Sequence, residues 1–412
     1  MKILDKRRPD MPVPSHGKID GGLQPTAVPD IDKWVLYERA EDNLYCVGSI
    51  ERDRFIAVPE SKVDLILDIV ALFDGKHSIE WIQSYYLQER GQQVDVAAVY
   101  RLLSAANLIS DPKPVSVFQG EFKRFSVDLV SLTTGEFFHK LQPFARRILK
   151  PFVLISLMVI VLGLGSFRPE YLTDLLVVDN SYTLGFLVMF FSGVALTIFH
   201  EFAHAFTAAA HGASTRQIRL ALYMGLLPTF YAEIAGMYTL KPKDRIKVWA
   251  AGPYSNLFLG SLILLSYPAL RSYFPITGQI MLKVALGSFL AVVGNLSPLL
   301  PTDGYFIMST LMKQVNIRTN TFQEFFKWLR REKNRLKGML LLYFLATGSL
   351  ILGALALQIQ WAIKIVQEIA QGSLRFQIVP SQLLVIILVL LLVGRIILHA
   401  AIKIRRKWTY NF

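Results

Sequence analysis

Six long apolar runs follow residue 140, and they constrain the fold more than any other feature of the sequence. The runs are Pro151–Phe167, Leu184–Ala210, Val248–Leu270, Ile280–Pro301, Gly338–Gln360 and Gln382–Ala401. Several reach the roughly 20 residues that a helix needs to cross a hydrocarbon core of about 30 Å. We therefore expect a mainly α, six-helix polytopic membrane domain over residues 151–401.

The composition agrees with this expectation. Hydrophobic residues make up 53% of the 412 residues and charged residues 18%, whereas globular chains are about a quarter charged. The apolar content excludes intrinsic disorder for most of the chain. Cys46 is the single cysteine, so no internal disulfide can form. The polar N-terminus lacks the apolar core of a secretory signal peptide, and we expect none.

The net charge of +13 fits either nucleic acid or an anionic membrane face. Lys and Arg cluster before the first run, between the second and third, after the fourth and in the tail, and they are sparse in the intervening loops. This alternation follows the positive-inside rule. We expect a multi-pass inner (cytoplasmic) membrane protein with both termini cytoplasmic, membrane lipid as a partner, and no nucleic acid.

The second run contains the motif His200-Glu201-x-x-His204. Residues four apart share a helix face, so both imidazoles can reach one metal ion. Glu201, between them, can act as general base. Ionisable residues inside an apolar helix are expensive and indicate function. The motif therefore predicts a catalytic metal site.

A catalytic zinc site needs a third protein ligand, and the sequence offers two. His211 lies seven residues after His204, on the same helix face, and also suits an interfacial position at the helix end. Asp303 lies just past the fourth run, in a segment that Pro298 and Pro301 break. Because the second and fourth runs cross in the same direction, Asp303 and His200 are expected at similar depths near the cytoplasmic side.

The His200–His204 motif together with the Asn295–Gly304 segment resembles the site-2 protease family of intramembrane zinc metalloproteases. The order of the six runs is similar to the family's sporulation-type branch, and the resemblance covers roughly Pro151–Ala401. It implies one Zn²⁺, and these roles: metal ligands His200, His204 and Asp303, and catalytic base Glu201.

Two further segments resemble elements of the same family. Ala251–Asn256 is similar to its Gly-x-x-x-Asn element, which implies that Asn256 orients substrate or stabilises the oxyanion. The apolar, glycine-broken segment 216–243 is expected to form a partly inserted hairpin or sheet that holds a substrate strand. Glu233 in this segment has no evident partner in the sequence, and it lines a water path, supports the site as an outer group or faces the surface.

The first 112 residues divide into a flexible arm, 1–30, and a small α+β winged-helix-like domain, 31–112. Three strands are expected before three amphipathic helices. The strands are Trp34–Arg39, Leu44–Ile50 and Arg54–Val58, and the helices are Val63–Phe73, Ile79–Glu89 and Val96–Ala106.

This order resembles the PqqD-like peptide-recognition domain, through the pattern of Arg54–Pro59, Leu67–Gly75, Ile79 and Leu102–Ile109. A strand edge beside an apolar helix is a template for an incoming peptide strand. The expected peptide-binding residues are Arg54, Phe55, Ile56, Ala57, Val58, Val99 and Leu102. A DNA-binding winged helix is disfavoured, because the third helix offers only Arg101.

The remaining segments are connectors. Residues 113–150 are expected to hold a linker and an interfacial helix, and residues 402–412 a basic cytoplasmic tail. A second interfacial segment, 311–337, has aromatic and basic faces typical of a helix on a membrane surface. Within it, Thr321-x-x-Glu324 resembles a capping box that begins the helix.

These features predict a zinc-dependent intramembrane metalloendopeptidase that cleaves at the cytoplasmic side, in maturation, export or clearance of a ribosomally made peptide. The substrate is a peptide or membrane protein, and an export adaptor or transporter is a possible partner. One alternative is regulated cleavage of a membrane-bound regulator. Another is a non-catalytic transport or scaffold subunit, which would have no need of Glu201.

Overall fold

A computed structural model describes residues 23–110, 126–172, 178–179, 182–223, 227–298, 302–333, 338, 341–346 and 348–349. The sixth expected span lies outside the described residues, as does most of the fifth. The chain divides into two compact units, one of Met1–Trp34 with Tyr45–Phe118 and one of Val35–Leu44 with Gln119–Phe412.

The N-terminal domain contains the expected three strands and three helices. The strands are β1 (Ile31–Tyr37), β2 (Leu44–Ser49) and β3 (Arg54–Pro59), and the helices are α1 (Glu60–Ala71), α2 (Ile79–Arg90) and α3 (Val96–Ala105). The sheet order is β1-β2-β3, so among the described strands β3 lies at an edge.

Local signals begin and end these helices. The Ser78 hydroxyl accepts a hydrogen bond from the Trp81 N–H and caps α2. Gly91 ends the same helix in the left-handed region, at φ 60°. Ile69, Ile82 and Leu103 are completely buried, one from each helix, and form a common core.

Four described helices are long and apolar enough to cross a membrane. They are α4 (Gly135–Gly165), α5 (Tyr182–His211), α6 (Pro242–Tyr273) and α7 (Pro275–Asn295). Their outward faces stay apolar, with Leu154 71% exposed and Val293 73% exposed. Exposed apolar surface of this extent requires lipid rather than water around it, and it marks the chain as a membrane protein.

Small residues let α4 and α6 approach closely. A Cβ at Gly163 would overlap the backbone of Ser261, whereas a Cβ at Gly165 would meet nothing within 4 Å. Nearby, the Tyr254 hydroxyl lies 2.6 Å from Ser156 Oγ, so a hydrogen bond joins the same two helices. Close backbone contact and interhelical hydrogen bonds are the usual means of helix association in lipid.

A three-stranded antiparallel sheet lies among these helices, in the order β4-β5-β6. It consists of β4 (Ser126–Thr133), β5 (Ser214–Tyr223) and β6 (Leu227–Ala235). The segment 216–243 was expected to form a hairpin or sheet, and β5 and β6 form that hairpin, whereas β4 was not foreseen.

Three boundaries differ from the sequence-based expectation. No separate interfacial helix precedes the first span in the described part of 113–150, because α4 runs continuously from Gly135. The fourth run stops at Asn295, and a separate helix, α8 (Asp303–Leu311), follows the break. The predicted capping box is wrong: α9 (Ile317–Leu329) begins four residues earlier, and the Thr321 hydroxyl donates to Ile317 O inside the helix.

Candidate metal centre

The two histidines of the motif face each other on the inner side of α5. Their Nε2 atoms lie 3.1 Å apart, and the side chains are buried, with 6% and 4% of His200 and His204 exposed. The spacing of four residues on a helix produces this arrangement, as the sequence predicts.

Asp303 joins them from the first turn of α8. Its Oδ2 lies 3.0 Å from His200 Nε2, and its Oδ1 lies 3.3 Å from His204 Nε2. Asp303 can approach because the helix α7 ends at Asn295 and a new helix begins at Asp303. The next residue must be glycine, because a Cβ at Gly304 would overlap the backbone of Leu296. In a tetrahedral zinc site, neighbouring ligand atoms are about 3.3–3.4 Å apart, so these separations suit a metal of that size.

The hydrogen bond of the outer His204 nitrogen also suits a metal ligand. The His204 Nδ1–H donates to Val248 O at 2.6 Å, so the neutral ring carries its lone pair on Nε2. That lone pair faces the Asp303 carboxylate and His200 Nε2. Lone pairs converging in a buried site repel each other unless a cation or proton lies between them. A carbonyl partner on the outer nitrogen is typical of metal-ligating histidines.

Asn256 lies beside His200 rather than in open space. Its Nδ2 is 3.2 Å from His200 Nδ1, and only 2% of the residue is exposed. The buried Oδ1 atom of Asn256 has no hydrogen-bond partner among the described residues. Rotating the amide by 180° lets Oδ1 accept from His200 Nδ1–H, and amide orientation is assigned from such networks. His200 Nε2 then carries a lone pair, as a metal ligand requires.

Gly252, one turn before Asn256 on α6, provides the space for this cluster. A Cβ at Gly252 would overlap the Nε2 atoms of both His200 and His204. Gly252 and Asn256 lie four residues apart on the helix face that covers the site. The glycine of the Gly-x-x-x-Asn pattern is needed for space, and the asparagine for its hydrogen bond to His200.

Glu201 is half-buried and has its own contact with the sheet. Its Oε2 accepts a hydrogen bond of 2.7 Å from the backbone N–H of Ala232. One ligand atom each from His200, Glu201 and His204 lies within 4.8 Å of the others, so these three residues also form a possible metal cluster. We favour Asp303 as the third ligand, because its oxygens are nearer and Glu201 is engaged by the strand.

His211, the other possible ligand, is engaged elsewhere. Its Nδ1 lies 3.4 Å from Asp244 Oδ1, near the start of α6. The structure therefore brings Asp303 rather than His211 to the two motif histidines.

Glu233 has partners that the sequence did not reveal. Arg219 Nη2 and Gln217 Nε2 each donate to Glu233 Oε2 at 2.7 Å, across the paired strands β5 and β6. Gln217 lies directly opposite Glu233, and Arg219 follows Gln217 by two positions on β5, so the three side chains share one face of the sheet.

The expected peptide-binding residues of the N-terminal domain lie on β3 and α3. On β3, Ile56 and Val58 are buried in the core, while Ala57 is exposed. On α3, Val99 is half-buried and Leu102 is 44% exposed. The outward residues of β3 and α3, such as Ala57 and Leu102, are therefore accessible to a peptide, whereas Ile56 and Val58 belong to the domain core.

Sequence reasoning missed two contributors to the site, the Val248 carbonyl and the Ala232 N–H. Both are backbone groups, which leave no mark in the residue type. The Gly-x-x-x-Asn pattern did include Gly252, but the space that this glycine leaves for the two histidines became evident only in the structure.

Comparison of the chain with family models, with curated proteins and with solved structures finds no match. The resemblance to the site-2 protease family therefore rests on the motifs themselves, and the geometry of their residues becomes the main guide to function.

Proposed function

We propose that the chain is an intramembrane zinc metalloendopeptidase of the site-2 protease type. One observation carries the proposal. The side-chain donors of His200, His204 and Asp303 converge within 3.0–3.3 Å of one another, with the carboxylate of Glu201 beside them. Three ligands and an adjacent general base are the parts of a catalytic zinc site, whereas structural sites normally have four protein ligands.

In the proposed mechanism, the His200, His204 and Asp303 side chains would hold the ion. When bound, zinc would polarise the scissile carbonyl and lower the pKa of a water to about 7. Glu201 accepts a proton from the attacking water while the water oxygen forms a bond to the carbonyl carbon. The C–N bond then breaks, and Glu201 delivers that proton to the leaving amine. Asn256 keeps His200 in the ligating orientation.

The substrate in this proposal is an extended peptide segment. A helical segment must unwind before cleavage, because its carbonyls are internally bonded. The strand β6 ends the sheet among the described strands, and its side away from β5 suits strand addition by such a segment at positions before Ala232. The N-terminal domain, through β3 and α3, captures a ribosomally made peptide. Tethering raises the local substrate concentration to the millimolar range for a short linker, so weak capture suffices.

We further propose that cleavage takes place at the cytoplasmic side of the inner membrane, with both termini in the cytoplasm. The basic residues near the span ends support this orientation. The alternative function, cleavage of a membrane-bound regulator, would use the same chemistry. Identifying the substrate by experiment distinguishes it from maturation of a ribosomally made peptide.

Two measurements test the proposed activity. Detergent-purified protein should contain near-stoichiometric zinc by elemental analysis, and the metal should be lost in His200→Ala/His204→Ala. Glu201→Gln should keep the zinc and lose cleavage by about 10²–10⁴-fold, because an amide cannot accept the proton. Terminal-labelling mass spectrometry of cells with the wild type or Glu201→Gln would reveal new N-termini that depend on the base.

The outcomes separate the alternatives. Identical N-terminal profiles from wild type and Glu201→Gln, at equal zinc content, would leave a non-catalytic scaffold or transport subunit. Retention of zinc in Asp303→Ala with its loss in His211→Ala would refute the ligand set.

A further inference from the structure

The hydrogen bond between Ala232 and Glu201 connects the sheet to the reacting centre. The Ala232 N–H donates to Glu201 Oε2 at 2.7 Å, across 31 residues of sequence. An ionised carboxylate accepts hydrogen bonds at each oxygen. With one oxygen held by the strand, the other oxygen of Glu201 keeps its lone pairs for a water.

The strand geometry leaves the Ala232 N–H available for this role. Ala232 lies opposite Ile218 of β5, yet its N–H points to Glu201 and therefore away from the ladder. Alternate residues of a strand direct their N–H groups to the same side. Phe230, two positions earlier, accordingly has its N–H on the same edge, without a Glu201 contact.

Packing fixes the distance between β6 and the helix that carries Glu201. Ala205 and Ala209 of α5 are 0% and 3% exposed, and they pack with Phe138, Ile218 and Ala232 in one cluster. The small side chains bring the strand close to the helix. A close-packed contact of this kind does not deform easily, so the donor stays where the carboxylate needs it.

We propose that Ala232 is a positioning residue, whose backbone N–H orients the general base Glu201. This inference rests on the proposed function and goes beyond it, because it gives the sheet a role in the chemistry as well as in substrate binding. A carboxylate without this donor would rotate among orientations, and hydrogen bonds to charged groups are among the stronger ones in proteins.

The substitution Ala232→Pro removes the donor selectively. Proline lacks an N–H but is tolerated at edge positions where that group does not serve the ladder. Leu129→Pro is the matched control, since it places a proline in the same sheet at the irregularity of β4 between Asp128 and Val130, away from the edge that β6 forms. Metal content should remain stoichiometric in both variants, because neither residue supplies a ligand.

The probe is leucine hydroxamate, a metal-binding compound whose hydroxyl proton passes to the general base. We expect Ala232→Pro to weaken its binding about ten- to a hundredfold, the factor that corresponds to a lost charged hydrogen bond. Leu129→Pro should bind as the wild type does. In a Glu201→Ala background, Ala232→Pro should have no further effect, because the acceptor is already gone.

A second measurement needs neither the proline variant nor the metal. Hydrogen exchange of the full-length protein should show one additional exchanging amide in the peptide containing Ala232 when Glu201 is replaced by Ala. Glu201→Gln, which retains an acceptor oxygen, should protect that amide as the wild type does.

The possible failures are distinguishable. A wild type that binds neither zinc nor leucine hydroxamate would refute the proposed function. A wild type that binds both, with equal losses for Ala232→Pro in the Glu201 and Glu201→Ala backgrounds, would overturn the positioning role alone. Unchanged exchange in Glu201→Ala would overturn it as well.

Discussion

Replacing Gly252 by alanine should remove the metal without touching a ligand. The added Cβ would overlap the Nε2 atoms of His200 and His204. Because atoms in contact lie about 3.5–4.0 Å apart, the two imidazoles would have to retreat by about 1 Å. Metal–ligand distances tolerate about 0.2 Å. The two rings therefore cannot remain at ligating distance beside a methyl group.

We expect the zinc affinity of Gly252→Ala to fall by about 100-fold, which corresponds to about 2.7 kcal/mol. This factor is the upper end of the range for changes to residues that support metal ligands. The assay is competition for zinc with a chromophoric chelator, on protein purified in detergent. Gly193→Ala is the matched control, because Gly193 lies on the histidine-bearing helix with nothing within 4 Å of its Cβ position.

A second control separates sterics at the metal from backbone strain. Gly252 precedes Pro253, and a residue with a Cβ in that position is disfavoured in helical conformation. Gly252→Ala/Pro253→Ala relieves this strain and should still lose zinc. Wild-type zinc affinity in that double variant would show that the helix, rather than the cavity between the histidines, limits binding, and would refute the reasoning.

Three other substitutions, each with its own expected outcome, probe the contact between α4 and α6 and the surface of the N-terminal domain. Gly163→Leu should force α4 away from α6 and destabilise the detergent-solubilised protein by about 1–3 kcal/mol in unfolding titrations, whereas Gly165→Leu should be neutral. Tyr254→Phe should cost about 0.6 kcal/mol in the same assay, a typical interhelical hydrogen bond in a membrane. Leu102→Asp should weaken capture of precursor peptides about tenfold in fluorescence polarisation, with zinc retained. Leu87→Asp, at another exposed leucine of the domain, should leave capture unchanged.

The elements that sequence patterns predicted well are those with a local cause. Apolar periodicity and turn residues fixed all three helices of the N-terminal domain to within a few residues, because caps such as Ser78 and Gly91 act over one turn. The pairing of His200 and His204 is equally local, since four residues make about one turn of helix.

The approach of Asp303 to the histidines could be predicted only from topology, that is, from the direction in which each span crosses the membrane.

Sequence patterns could not indicate which backbone groups contribute to the site. The N–H of Ala232 and the carbonyl of Val248 belong to residues whose types carry no polar signal, and their roles depend on tertiary packing. Strand β4 was missed for a similar reason, because its partner β5 lies more than 80 residues further along the chain.

The position of Asp303 on a separate helix also has a consequence for biosynthesis. His200 and Asp303 are 103 residues apart in the sequence. At typical rates of about 5–20 residues per second, a ribosome needs roughly 5–20 s to add that length. During this interval the growing chain has His200, Glu201 and His204 but lacks Asp303. If the chain is the proposed peptidase, hydrolysis would therefore await synthesis of α8, and the nascent chain and its neighbours would be protected from premature cleavage.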